Sequence, residues 1–119
     1  MKTNFLQEKS YSFAVDIVKT TQEIQKNQKH FVLTNQLLKS GTSIGALLRE
    51  CKFAESTADF IHKQSIALKE ANESKYWISI MYEIGYISVE DYERLDTNVT
   101  ELIKLLVSSI NTLKLKLKK

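Results

Sequence analysis

The run STADFIHKQSIALKEANESKYWISIMYEIG, residues 56–85, decides the fold. No proline or glycine interrupts it before Gly85, and Phe60, Gln64, Ala67, Ala71, Ser74, Ile78 and Met81 recur at spacings of three and four. That spacing predicts one long helix, from about Ser56 to Ile84, with a stripe of apolar and small residues. Ser56 or Thr57 is the expected N-cap, Asp59 sits in the first turn where the helix dipole favours an acid, and Gly85 falls where a left-handed residue ends a helix.

The second half of this run is unlike the first. At 100° per residue, His62, Lys69, Glu70 and Glu73 share one outer sector, but Trp77, Ile80 and Met81 then enter it. Tyr76-Trp77-Ile78-Ser79-Ile80-Met81-Tyr82 is apolar nearly all round, and such a helix must be covered on all sides. The cover is either a second copy of the chain or the terminus of helix one or the C-terminal tail folding over it. A large apolar patch is uncommon on a monomer, which favours a homo-oligomer with Tyr76, Trp77, Ile80 and Met81 at its interface.

Working outward, Ser88-Val89-Glu90-Asp91 reads as the capped start of a further helix. Tyr92, Leu95, Val99, Leu102, Leu106, Ile110 and Leu113 carry its heptad pattern to the tail. Upstream, a helix beginning near Phe31 places Leu33, Leu37, Gly41, Ile44 and Leu48 on one face. Gly41 and Gly45 cost roughly 1 kcal/mol each in a helix interior, a cost offset if their small face lets a neighbouring backbone approach closely. The first helix runs from about Asn4 or Ser10 to Lys26 on Phe13, Ile17, Thr21 and Ile24, and the polar segment Gln25 to His30 is the expected loop. Four such helices joined by short turns predict an all-α, antiparallel up-down four-helix bundle over residues 1–119, with 114–119 as a basic tail. The tail alternates leucine and lysine, a strand-like rather than helical pattern.

Composition agrees. With 119 residues, no proline and three glycines, the chain is long enough for one core and lacks the punctuation of a sandwich or barrel. Cys51 has no thiol partner, and two histidines cannot complete a zinc site with it, so neither a disulfide scaffold nor a metal or cofactor is expected. The N-terminus turns polar after Phe5-Leu6, without the apolar run of a signal peptide, and no stretch is long enough to span a membrane. Cytoplasmic localisation follows as the expectation.

Catalytic motifs fail one by one. Asp59-Phe60-Ile61-His62 is a single poor match to the paired Glu-x-x-His motifs of a di-iron bundle. Gly41-Thr42-Ser43-Ile44-Gly45 has the Gly-x-Ser-x-Gly form of a nucleophile elbow but lies mid-helix, not at a strand-to-helix turn. Cys51 reads as a small buried apolar residue rather than a nucleophile. No enzyme is expected.

The net charge of +3 is unevenly spread. Residues 1–53 hold eight Lys/Arg against four Asp/Glu, residues 54–103 four against ten, and residues 104–119 five against none. Lys19, Lys26, Lys29, Lys39, Arg49 and Lys52 on the first two helices, with Lys114 and Lys116 in the tail, are the candidate phosphate contacts, and RNA is the first candidate partner. The alternative is a protein-interaction scaffold whose partner uses the acidic surface of helices three and four.

Several separated motifs carry a family resemblance. Ser40-Gly41-Thr42-Ser43-Ile44-Gly45-Ala46, Arg49-Glu50, Asp59-Phe60-Ile61-His62-Lys63, Ser65 to Ala71, Lys75-Tyr76-Trp77 and Gly85-Tyr86-Ile87, with the opening Ser10-Tyr11-Ser12-Phe13-Ala14, resemble the bacterial 23S ribosomal RNA intervening-sequence proteins. The resemblance implies an up-down four-helix bundle, often a ring-shaped homopentamer, with no known enzymatic activity. A related branch, the accessory proteins of diversity-generating retroelements, binds nucleic acid and a reverse transcriptase through a basic surface. Leu47 departs from the family pattern, which places Asn after Ser-Ile-Gly-Ala.

Overall fold

A computed structural model describes residues 2–29 and 31–118, with side chains from Phe5 onward. Four α-helices follow one another: α1 (Lys2–Asn27), α2 (Val32–Glu50), α3 (Thr57–Glu83) and α4 (Val89–Leu117), with a short 3₁₀ turn at Cys51–Phe53. They form an up-down bundle 53 Å long and 22 × 20 Å across.

The predicted caps form. The Asp59 backbone N–H donates to Ser56 Oγ (3.0 Å) and the Asp91 backbone N–H to Ser88 Oγ (3.1 Å), so each long helix starts on a serine that satisfies an otherwise unpaired donor. Gly85 ends α3 with φ +80°, its N–H bonded to the Tyr82 carbonyl, while the Tyr86 N–H reaches back to the Met81 carbonyl at 2.8 Å. This paired closure requires a residue at ease in the left-handed region. The first loop is shorter than expected, because α1 continues through Asn27. The expected loop position of His30 lies outside the described residues.

The core runs the length of the bundle and is filled by Phe13, Ile17, Leu37, Ile44, Ile78, Leu95, Leu102 and Leu106 among others. Two small-residue contacts set its helix spacing. A Cβ added at Gly41 would lie 2.8 Å from Ile17 Cγ1, and one at Gly45 would lie 3.3 Å from the Ser10 carbonyl oxygen, so α1 and α2 meet almost backbone to backbone. Between α2 and α3, buried Ser40 and Ser74 put their Oγ atoms 2.9 Å apart.

Two expectations are corrected. The tail is no strand: α4 stays helical through Leu117 and carries Lys114 and Lys116 in its last turns. Leucine and lysine both favour helix, and extending an existing helix fixes one residue per hydrogen bond gained. Met81 is fully buried in the chain's own core, so it is not available to a second copy. The stripe repeats every seven residues, and seven steps of 100° fall 20° short of two turns. The inward face therefore rotates along α3, and by Met81 it has entered the sector that begins the helix as its outside. Among the described residues, no helix is long and apolar enough to cross a membrane.

Candidate nucleic-acid interface

The eight candidate cations are all exposed, but they do not form one surface. Gln7 Nε2 donates to the Leu48 carbonyl at 3.3 Å, which sets the start of α1 beside the end of α2 and hence beside Arg49 and Lys52. Leu113 of α4 lines the same notch as Cys51 and Lys52, so Lys114 and Lys116 arrive at this end too. Arg49, Lys52, Lys114 and Lys116 are thus gathered from three elements. Among the described residues, none of the four has a carboxylate within 4.0 Å.

Lys26 and Lys29 belong to the opposite end, where Gln25 meets Thr34 at the start of α2. The nineteen residues of α2 separate the two ends by about 28 Å. Lys26 is moreover paired with Glu23 at 3.1 Å. Lys19 and Lys39 sit between the ends on the outer faces of α1 and α2.

The carboxylates are concentrated in residues 54–103, and three of the protein's acids, Asp16, Asp96 and Glu101, pair across helices. Arg94 of α4 grips Asp16 of α1 with two bonds, Nε to Oδ2 at 2.8 Å and Nη2 to Oδ1 at 2.9 Å, and also reaches Asp91 at 2.7 Å. These carboxylates push the Arg94 guanidinium pKa above its already high ordinary value, so it carries its charge at every working pH. Lys75 ties α3 to Asp96 and Thr100 of α4, both at 2.7 Å. At the corner before α3, the Glu55 backbone N–H donates to Asp59 and, with Lys63 nearby, holds that carboxyl below its usual range.

Sequence reading missed a groove between α1 and α2 that opens beside the basic end. It encloses about 480 Å³ and is lined by Gln7, Glu8, Tyr11 and Ala14 of α1, by Thr42, Gly45, Ala46 and Arg49 of α2, and by Lys52. Tyr11 is 66% exposed on its wall. The only signal in the sequence was an aromatic residue off the inward stripe of α1, and the groove itself depends on the α1–α2 register.

The proposed oligomer face divides. Tyr76 is 60% exposed, Trp77 and Ile80 are half-buried, and Ile84, beyond the expected set, is 46% exposed. Trp77 packs against the core and donates from Nε1 to Glu73 at 3.5 Å. Among the described residues, no cluster of three His, Cys, Asp or Glu side chains has the proximity of a metal site.

The family model described as 23S rRNA-intervening sequence protein matches residues 2–108. A solved structure described as a protein of unknown function from the S23 ribosomal protein family of Bacteroides thetaiotaomicron VPI-5482 is 49% identical. It superposes with a TM-score of 0.89 over 93% of this chain and 99% of that one. No curated protein sequence matches.

Proposed function

Because this chain belongs to the 23S rRNA-intervening sequence protein family, we propose that it is a non-catalytic, homo-oligomeric bundle that binds RNA at its basic end. The observation that supports this reading is the gathering of Arg49, Lys52, Lys114 and Lys116 from three elements, none of them within 4.0 Å of a carboxylate among the described residues. Each cation that neutralises a phosphate releases counterions, so affinity falls steeply with salt. Phe53, 81% exposed on the 3₁₀ turn next to Lys52, adds an aromatic surface to this end.

Fluorescence anisotropy with a labelled RNA across a salt series tests the proposal. Arg49→Glu with Lys52→Glu should weaken binding by about 100-fold at low salt and flatten the salt dependence by about two phosphate contacts. Lys26→Glu with Lys29→Glu, at the far end, should change affinity by less than threefold. Absence of binding at low salt, or equal losses from both pairs, would refute the basic end as the site.

The oligomer rests on the exposed Tyr76 and Ile84 beside half-buried Trp77 and Ile80, an apolar patch at the α3 C-terminus and the face on which a ring of five chains would be built. Light scattering should give a multiple of 13.7 kDa for the wild type and 13.7 kDa for Tyr76→Glu with Ile84→Glu. A wild type already at 13.7 kDa overturns this part of the proposal.

A further inference from the structure

We infer that the α1–α2 groove takes an unpaired nucleobase, so that the ligand of this surface is single-stranded rather than duplex nucleic acid. The inference rests on the RNA-binding reading above and adds to it which form of the polymer is held, and by what.

Small residues make the floor of the groove. Gly45 lacks a side chain because the Ser10 carbonyl stands 3.3 Å from where its Cβ would be, and Ala14 and Ala46 flank it. The floor is therefore flat, small and close to backbone level over a groove of about 480 Å³. Tyr11 rises from one wall with its ring 66% exposed. A tyrosine on a helix is held by only two side-chain torsions, so its ring offers a firm, flat platform at little entropic cost. An aromatic face beside a shallow apolar slot suits a flat heterocycle, and every base presents such a face regardless of sequence.

Charge then orients the ligand. Arg49 and Lys52 stand at one side of the groove, and Lys52 also lines the notch that leads to Leu113 and the lysines after it. A strand with a base on Tyr11 would set its phosphates against Arg49 and Lys52 and continue toward Lys114 and Lys116. Glu8 lies on the wall that carries Tyr11. Its carboxylate repels phosphate and accepts hydrogen bonds from exocyclic amino groups, so it favours a base over backbone there. The Thr42 hydroxyl already donates to the Leu38 carbonyl at 2.8 Å and keeps only acceptor capacity toward a ligand. A duplex cannot use this site, because its bases are stacked and paired inside the helix.

The test compares a labelled 12-nucleotide single-stranded RNA with a duplex of the same length, by anisotropy at one fixed low salt, using the full chain. The wild type should bind the single strand about tenfold more tightly, within the range that one stacked base contributes. Tyr11→Leu should abolish that preference without altering the salt slope, and Tyr11→Phe should retain it. Arg49→Glu with Lys52→Glu should weaken both RNAs. Equal binding of the two RNAs, or a Tyr11→Leu protein that still prefers the single strand, overturns the inference and leaves RNA binding at the basic end standing. Binding of neither RNA removes both. A fall in assembly mass on Tyr11→Leu, measured by light scattering, would make the groove a contact between copies and also overturn the inference.

Discussion

Gly41→Leu is expected to destabilise the bundle by about 3 kcal/mol or more, within the upper range for forcing extra atoms into a filled core. The atoms in the way are Ile17 Cγ1 and Cγ2, 2.8 and 3.0 Å from the position of the first added carbon, with Ile17 Cβ at 3.3 Å. They lie at the root of a β-branched side chain held in one rotamer on a helix, so they cannot swing aside. α1 would have to move off α2, opening the contact in which both Ile17 and Gly41 are buried. The gain in helix propensity on losing a glycine, roughly 1 kcal/mol, is too small to offset this. Denaturant unfolding measures the difference, and Ile17→Ala in the Gly41→Leu background should recover part of it. A Gly41→Leu protein as stable as the wild type would mean that α1 and α2 are not this close.

The second large effect concerns Cys51. Its thiol is 2% exposed at the end of α2, with Sγ 3.9 Å from the Phe60 carbonyl oxygen, and burial pushes its pKa up to about 11 from 9.0. The reactive species is the thiolate, so at pH 8 the shift alone lowers its population by about 100-fold, and shielding adds to that. Labelling by iodoacetamide at pH 8 should be at least 100-fold slower in the native protein than in guanidinium. The sign of the linkage follows from the raised value. The folded state holds its proton more tightly than the unfolded one, so this contribution to stability is complete below pH 9 and is lost as pH rises through 9 toward 11. Native labelling as fast as that of the unfolded chain would place Cys51 outside the core.

What the sequence made legible was whatever is local to one helix. The stripe of α3, the serine caps at Ser56 and Ser88 and the glycine stop at Gly85 each depend on a few neighbouring residues, and each formed. Met81 was misplaced because a fixed 100° step does not follow a face that rotates with a seven-residue repeat. The tail was misread because exposed Leu115 and Leu117 give no inward face to mark the helix, while its real support, the rest of α4, lies upstream. The gathering of Arg49 and Lys52 with Lys114 and Lys116, and the groove below Tyr11, depend on which turn of one helix stands opposite which turn of another. Registers between antiparallel helices are fixed by contacts such as Gly41 on Ile17 and Ser40 on Ser74, each spanning more than twenty residues of chain.

The attachment of α1 to α4 differs from the other three seams, and the difference is mechanical. α1 packs closely on α2, α2 on α3 and α3 on α4, while α4 returns to α1 only sparsely, across a cleft of about 400 Å³. That edge is fastened by Arg94 on Asp16 and by Lys9 on Glu101, pairs that stand partly in solvent. The molecule is therefore built like a scroll: three turns are glued by oil and the free margin is closed by charged clasps. Apolar glue strengthens in kosmotropic salts such as sulfate, whereas exposed clasps are screened and weaken. A kosmotropic salt thus separates two kinds of tightness in one small bundle, firming the roll while loosening its margin.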